Sequence, residues 1–261
     1  MTPILKYPGA KNRLAPWIVS HIPKHDVYLE PYFGSGGVFF AKDPSRIETI
    51  NDLDCNVVNF FKVIREYPDE FIKQLKLTPY AREEYRRAFV VEEEDDIIER
   101  ARKFAVRCWQ GFGCSNRYQN GFRTSQQSTS PCTTKQWKSF VDVIPEVAER
   151  LMHAQIECKT AIQLLDMYNT KDVFIYLDPP YLPEIRKKYQ YVHEMTHENH
   201  VELLERIVDH PGKILISGYE SSLYMDILSD WYCTSISTRA ERGVQRREYL
   251  WGNYNFYENA V

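Results

Sequence analysis

Short apolar runs bounded by turn residues alternate with amphipathic stretches along most of the chain. Val27-Tyr28-Leu29-Glu30 is a strand-like run ending in an acid, followed by the glycine-bearing turn Phe33-Gly34-Ser35-Gly36-Gly37. Val38-Phe39-Phe40 then reads as the opening of a helix, Ile47 to Asp52 as a second strand, and Asn56 to Glu66 as a helix. Strand, turn, helix and strand in that order predict the start of a doubly wound α/β sheet. Strand signals return at Gln155–Cys158, Val173–Leu177, Lys213–Ser217, Cys233–Ser237 and Glu248–Gly252, with helices expected at about 160–168, 197–209 and 220–229. Between the two sets the pattern is helical and charged, interrupted by a polar loop from Gly111 to Thr134. The simplest organisation is one α/β domain built from residues 1–61 and 150–261, with a mostly helical insertion over 62–149.

Length and composition add bounds. A chain of 261 residues with 43% hydrophobic and 26% charged residues is of ordinary globular make-up. Its apolar runs are too short to cross a bilayer, and Met1-Thr2-Pro3-Ile4-Leu5-Lys6 does not read as a signal peptide. These features predict a soluble cytoplasmic protein with no membrane partner. Six scattered cysteines without a Cys-x-x-Cys pair argue for reduced structural thiols. The net charge of −3 hides a local imbalance. The acidic run Glu92–Asp96 reads as a solvated helix face. Residues 101–140 hold no acid and seven bases: Arg102, Lys103, Arg107, Arg117, Arg123, Lys135 and Lys138. A polyanionic partner is therefore compatible with the charge.

Two motifs carry chemistry. In Glu30-Pro31-Tyr32-Phe33-Gly34-Ser35-Gly36-Gly37, glycines at a strand-to-helix turn admit a ligand close to the backbone. Asp52 follows Gly34 by 18 residues and ends the next strand, where an acid can accept from both hydroxyls of a ribose. The glycine spacing is not Gly-x-Gly-x-x-Gly and no Gly-Lys-Ser/Thr follows, so phosphate binding is disfavoured. In Asp178-Pro179-Pro180-Tyr181, a buried strand delivers Asp178 to the carboxyl edge of the sheet, where open α/β folds bind ligands. The two prolines fix φ and remove donors, leaving the Asp178 and Pro179 carbonyls as acceptors for an exocyclic amine. Tyr181 offers a face for a planar base, worth about 1–3 kcal/mol by analogy with single-strand binders.

With these residues in their order, the sequence resembles the Dam-like adenine-specific DNA methyltransferases of bacteria and phages. The resemblance spans nearly the whole catalytic part. Lys6-Tyr7-Pro8-Gly9-Ala10-Lys11 stands where that family has an N-terminal Lys-aromatic-x-Gly-x-Lys element, and the glycine motif, Asn51-Asp52, the insertion and Asp178–Tyr181 follow. Ile214–Tyr219 and Glu248–Trp251 resemble the family's later strands. The resemblance implies the Rossmann-like doubly wound sheet of a class I methyltransferase dependent on S-adenosylmethionine, with S-adenosylhomocysteine as product and no metal. Tyr7 and Lys11 would line the methionine end of that cofactor. Glu30, Phe33, Gly34, Ser35 and Gly36 would approach it along the glycine motif, Asp52 would hold its ribose, and Cys158-Lys159 would flank its adenine. Asp178 and Pro179 would grip the target amine, Pro180 would complete the turn, and Tyr181 would stack on an adenine flipped from duplex DNA. Flipping costs a few kcal/mol, and fixed near-attack geometry can lower the barrier by as much as about 7–11 kcal/mol.

The resemblance makes 62–149 a target-recognition insertion. Lys6, Arg107, Asn116, Arg117, Tyr118, Arg123 and Gln127 interleave bases, aromatics and amides suited to phosphates and base edges, and Arg186 after the catalytic loop adds another base. The family's GATC-reading enzymes carry an Asn/Pro-containing loop here. This chain has Asn120-Gly121-Phe122-Arg123-Thr124-Ser125, so that target sequence is not inherited. A partner restriction endonuclease, and a monomer or weak dimer, fit the family.

His193-Glu194-Met195-Thr196-His197 spells a zinc-peptidase signature, which needs both histidines one turn apart on a single helix. Thr196 reads as the N-cap of the following helix, which would leave His193 outside it. Other readings keep the fold but change the acceptor to RNA adenine, a cytosine amine or a protein amide. Asp178, where protein-amide enzymes commonly have Asn, and the position of the insertion favour DNA adenine. A nucleic-acid-binding module without catalysis is the remaining alternative, and the intact Asp178 and glycine turn speak against it.

Overall fold

The computed structural model describes residues 4–114, 118–185, 191–239 and 245–259. Seven strands form one sheet in the order β3-β2-β1-β4-β5-β7-β6. They are β1 Val27–Glu30, β2 Ile47–Asn51, β3 Ala154–Glu157, β4 Val173–Leu177, β5 Lys213–Gly218, β6 Tyr232–Arg239 and β7 Gln245–Gly252. β3, β2, β1, β4 and β5 run parallel, while β7 pairs antiparallel with both β5 and β6. The order reverses between β1 and β4, which makes their carboxyl ends the switch point where such sheets place ligands. This is the Rossmann-like doubly wound sheet expected from the sequence.

The period-two alternation of the strands divides two cores. On one face Tyr28, Ile50, Phe174, Tyr176, Leu215 and Leu250 are buried; on the other lie Leu29, Val173, Ile175, Leu177, Ile214 and Ile216. α8 Ala161–Met167, α9 His197–Val208 and α10 Ser222–Ile227 supply the second core. Thr160 and Thr196 start α8 and α9 with capping boxes. Since α9 begins at His197, His193 stands outside it, and the helical spacing that a zinc signature requires does not form.

The first core continues into the segment between β2 and β3. α2 Cys55–Glu66 packs against α5 Ile97–Gln110 and α7 Ile144–Leu151, and α3 Pro68–Leu77 packs against α2, α5, α6 Thr133–Asp142 and α7. Phe60 of α2 meets the rings of Phe71, Phe104 and Phe140 at centroid distances of 5.8, 5.9 and 6.2 Å. Arg150 of α7 also reaches back to the buried Glu48 of β2. Positions 61/62 and 149/150 therefore lie inside helices shared with the sheet core, not in linkers.

Two expectations are corrected. Residues 34–42 form successive tight turns, not a helix: Gly36 donates to the Phe33 carbonyl at 2.7 Å, and Ala41 and Lys42 both donate to that of Val38 at 3.0 Å. Val38 and Phe39 are apolar because these turns are buried. The acidic run is likewise no helix face. Asp96 caps α5 by accepting from Glu99 N at 2.7 Å, and Asp95 takes the Lys103 ammonium at 2.6 Å. Among the described residues no helix is long and apolar enough to cross a membrane.

Phe60→Ala should cost about 3–5 kcal/mol, the usual loss for a large aromatic removed from a core. Because one core joins the insertion helices to the sheet, denaturant unfolding should show a single transition at lower midpoint. Separate transitions for the two parts would contradict the shared core.

Candidate active site

A cavity of about 400 Å³ opens at the carboxyl ends of β1, β2 and β4. β1 ends in Glu30, β2 leads to Asp52, and β4 delivers Asp178, so the strand ends place three acids on its wall. The turn after β1 is held down because Phe33 N donates to the Asn51 carbonyl at 2.9 Å. Gly34 and Gly36 have φ of +50° and +68°, a region costly for residues with a Cβ. A Cβ on Gly34 would lie 3.2 Å from the Tyr7 ring, and one on Gly36 only 2.5 Å from Phe33. Asp52 is fixed from both sides, its Oδ2 accepting from Gly34 N at 2.8 Å and its Oδ1 from Asp54 N at 2.9 Å. Burial pushes its carboxyl up to about 7, against the pull of the Asp54 and Gly34 N–H groups. Glu30 accepts from Tyr28 Oη at 2.7 Å, and burial pushes it up to about 8.

The second half of the site centres on Lys11. Its ammonium donates to Asp178 Oδ1 at 2.7 Å and Tyr181 Oη at 2.6 Å, and lies 3.4 Å from Glu248 Oε1. Lys11 is 6% exposed and Glu248 3%. Burial alone would lower the Lys11 pKa, but the carboxylates of Asp178 and Glu248 more than offset this and hold it well above the ordinary lysine value. Burial raises the Glu248 pKa, with Lys11 pulling it down and Asp178 pushing it up. Ser217 Oγ donates to Asp178 Oδ1 at 3.0 Å, and Tyr181 Oη donates to Glu248. Asp178 Oδ1 thus holds two partners, whereas among the described residues nothing bonds to Oδ2.

Most residues expected from sequence come together. Tyr7, Lys11, Glu30, Phe33, Gly34, Ser35, Asp52, Lys159, Asp178 and Pro180 line the cavity. Gly36 and Pro179 lie just behind the wall, and Tyr181 reaches the site through its hydroxyl. Cys158 is exposed and does not line the cavity, its thiol lying 3.0 Å from that of Cys55. Asn51 binds the next loop instead, donating to the Pro31 and Lys159 carbonyls at 2.8 and 3.0 Å. Sequence reasoning missed Glu248 and Ser217. It also missed Tyr191, His193 and Met195, which line the cavity from the segment that carries the zinc-like signature.

The residues expected at a nucleic acid are more dispersed. Tyr118 and Gln127 are exposed, and the loop that carries Tyr118 is closed at its base by Phe112 N to Gly121 O and Arg123 N to Gln110 O, both at 2.8 Å. Lys6 donates to Gln136 at 2.6 Å and sits over the Trp109 ring, and Arg123 donates to the Gly111 carbonyl at 3.2 Å. Arg107 is half-buried, its guanidinium 5.8 and 5.6 Å from the ring centroids of Phe89 and Phe104. Asn116, Arg117 and Arg186 lie outside the described residues.

Residues 7–244 match the family described as D12 class N6 adenine-specific DNA methyltransferase. The chain is 24% identical over 264 residues to Type II methyltransferase M1.LlaDCHI of Lactococcus lactis subsp. cremoris, covering 94% of this chain and 90% of that one. It is 23% identical over 240 residues to the DNA adenine methylase of Escherichia coli strain K12, covering 87% and 83%. Among solved structures it is similar to precorrin 8W decarboxylase of Methanobacterium thermoautotrophicum, at 11% identity and a TM-score of 0.40 over 92% of this chain and 88% of that one, a likeness too loose to carry weight.

Lys11→Met should destabilise the fold by about 3–5 kcal/mol near neutral pH, because it strands two carboxylates against each other. Glu248, already raised by burial, would lose the cation that pulls it down, so the loss should shrink as pH falls and that carboxyl becomes neutral. Denaturation midpoints measured across pH check this; a loss that grows in acid would contradict the assignment of Lys11 as their counter-charge.

Proposed function

The chain belongs to the family of D12 class N6 adenine-specific DNA methyltransferases, and from that premise we propose that it transfers a methyl group from S-adenosylmethionine to N6 of an adenine flipped out of duplex DNA. The observation that carries this reading is the posture of Asp178. Lys11 and Ser217 hold its Oδ1, and its Oδ2 stays open at the cavity edge, followed by two residues that have no N–H to donate. An amine with two hydrogens fits such a corner, one to Asp178 Oδ2 and one to the Pro179 carbonyl. Accepting both hydrogens makes the nitrogen lone pair more available, and Tyr181 gives the ring a face to stack on.

The residues fit the cofactor. The cavity falls within the usual size of small-molecule sites, and its wall is bare where Gly34 lacks a Cβ. Asp52 supplies a carboxylate suited to two ribose hydroxyls. Leu53, Thr160, Ala161 and Ile162 with Lys159 offer a mixed wall for a flat heterocycle, Tyr7 lies against Gly34, and Lys11 and Glu30 border the end nearest Asp178. S-adenosylmethionine supplies, when bound, a methyl already activated on a sulfonium, with S-adenosylhomocysteine as product. The protein's work is then positioning and exclusion of water, and no residue need form a covalent bond. No metal enters this reading.

The segment 62–149 serves in this reading as the target-recognition insertion. Tyr118 lies within the loop pinned at Gly111 and Phe122, Arg123 holds its base through the Gly111 carbonyl, Gln127 follows it in the chain, and Lys6 bonds to Gln136. Arg102 and Lys103 are not available for phosphates, since Glu84, Glu99 and Asp95 pair with them.

Two experiments test the reading. Incubation with labelled S-adenosylmethionine and mixed-sequence duplex DNA, then nucleoside digestion and mass spectrometry, should yield N6-methyladenine, and Asp178→Ala should lower the rate by at least about 100-fold. Methylated cytosine alone, or RNA as the only acceptor, would overturn it. Separately, Asp52 must be ionised to accept both ribose hydroxyls, and its carboxyl gains a proton below about 7. Calorimetric affinity for S-adenosylhomocysteine should therefore be highest above that pH and weaken below it by up to about tenfold per unit. Asp52→Asn should remove the pH dependence, and a flat profile in the unsubstituted protein would contradict the role.

A further inference from the structure

Glu248 has no place in the mechanism so far, yet it is a carboxylate on β7 that is 3% exposed, beside Leu250 and Trp251. A buried acid is costly unless paired, so a strand position with only a packing role would hold an apolar residue. Its partners are the two residues that surround Asp178. Glu248 Oε1 accepts from Tyr181 Oη and lies 3.4 Å from Lys11 Nζ, and Lys11 donates to the same tyrosine oxygen at 2.6 Å. The Tyr181 hydroxyl is thereby held from two directions. Its ring rests against Tyr219 at a centroid distance of 4.4 Å, with the Lys11 ammonium 4.8 Å from its own centroid.

We propose that Glu248 is a positioning residue for methyl transfer: through the Tyr181 hydroxyl it sets the ring on which the target base stacks, and by sharing Lys11 with Asp178 it keeps Asp178 Oδ2 free for the amine. This rests on the roles given above to Asp178 and Tyr181. Both effects follow from one geometry. A tyrosine tethered at its backbone and at its tip keeps a single ring orientation. An ammonium with a second carboxylate at hand need not draw both oxygens of Asp178 to itself. Glutamine at 248 would still accept from the tyrosine but would leave Lys11 with one counter-charge.

The test is a double-mutant cycle on single-turnover methylation of duplex DNA, using Tyr181→Phe, Glu248→Ala and the pair together. Glu248→Ala should slow the methyl-transfer step by about 100-fold, the cost of a misplaced reacting group, with KM for DNA changed little. Glu248→Gln should recover the part of that loss that runs through the tyrosine, and S-adenosylhomocysteine affinity should report that each variant is folded. The double variant should be no slower than the worse single one, because both break the same link. If the alanine variant does not fold, Glu248→Gln with Tyr181→Phe completes the same cycle. Additive losses in an otherwise active protein, or a loss confined to KM, would overturn the inference alone. An unsubstituted protein that methylates no DNA adenine would overturn the reading beneath it as well.

Discussion

The Lys11 ammonium is enclosed at one point by residues from three remote parts of the chain. It comes from the N-terminal segment, Asp178 and Tyr181 from the loop after β4, and Glu248 from the antiparallel strand β7. None of these groups is stable in its place without the others. A buried ammonium needs a counter-charge, and the buried Glu248 beside the partly exposed Asp178 needs a cation between the two. The sheet order makes the meeting feasible, since β4 adjoins β5 and β5 adjoins β7. Electrostatics thus ties the closing strand of the sheet to the opening residues of the chain, and the posture of Asp178 follows from that tie.

The other half of the cavity is held by backbone, not charge. Gly34 and Asp52 fix one another, Asn51 clamps the loops on either side, and the turns after β1 bury Phe39 where a helix would have stood. One half of the site is shaped by hydrogen bonds to main chain and suits a polar nucleoside. The other half concentrates acids around one lysine and suits a cationic donor beside an amine acceptor. The boundary between the halves runs through Glu30 and Asp178, which share the cavity wall.

The sheet was legible because each strand is a short apolar run between turn residues, and Asp178–Tyr181 because two prolines after a buried strand leave few other readings. The helix expected at Val38 was misread since buried turns and helix openings share the same apolar signal. Glu248 was invisible for a different reason. In Gln245-Arg246-Arg247-Glu248 it reads as one more charge at the start of a strand, and only the long-range placement of β7 between β5 and β6 turns it inward. Cys158 adjoins Lys159, which lines the cavity, but side chains alternate along the chain and its thiol faces Cys55 instead. The count of basic residues overstated the insertion's free charge, because acids preceding α5 fold back onto Arg102 and Lys103.

The most direct measurement is a crystal structure of the protein with S-adenosylhomocysteine and a duplex carrying its target adenine. The account predicts the adenine N6 within about 3 Å of Asp178 Oδ2 and of the Pro179 carbonyl, with Oδ1 still on Lys11 and Ser217. An adenine whose amine meets other groups, or an Asp178 that has left Lys11 to reach it, would contradict the claim that one buried lysine presets the catalytic corner.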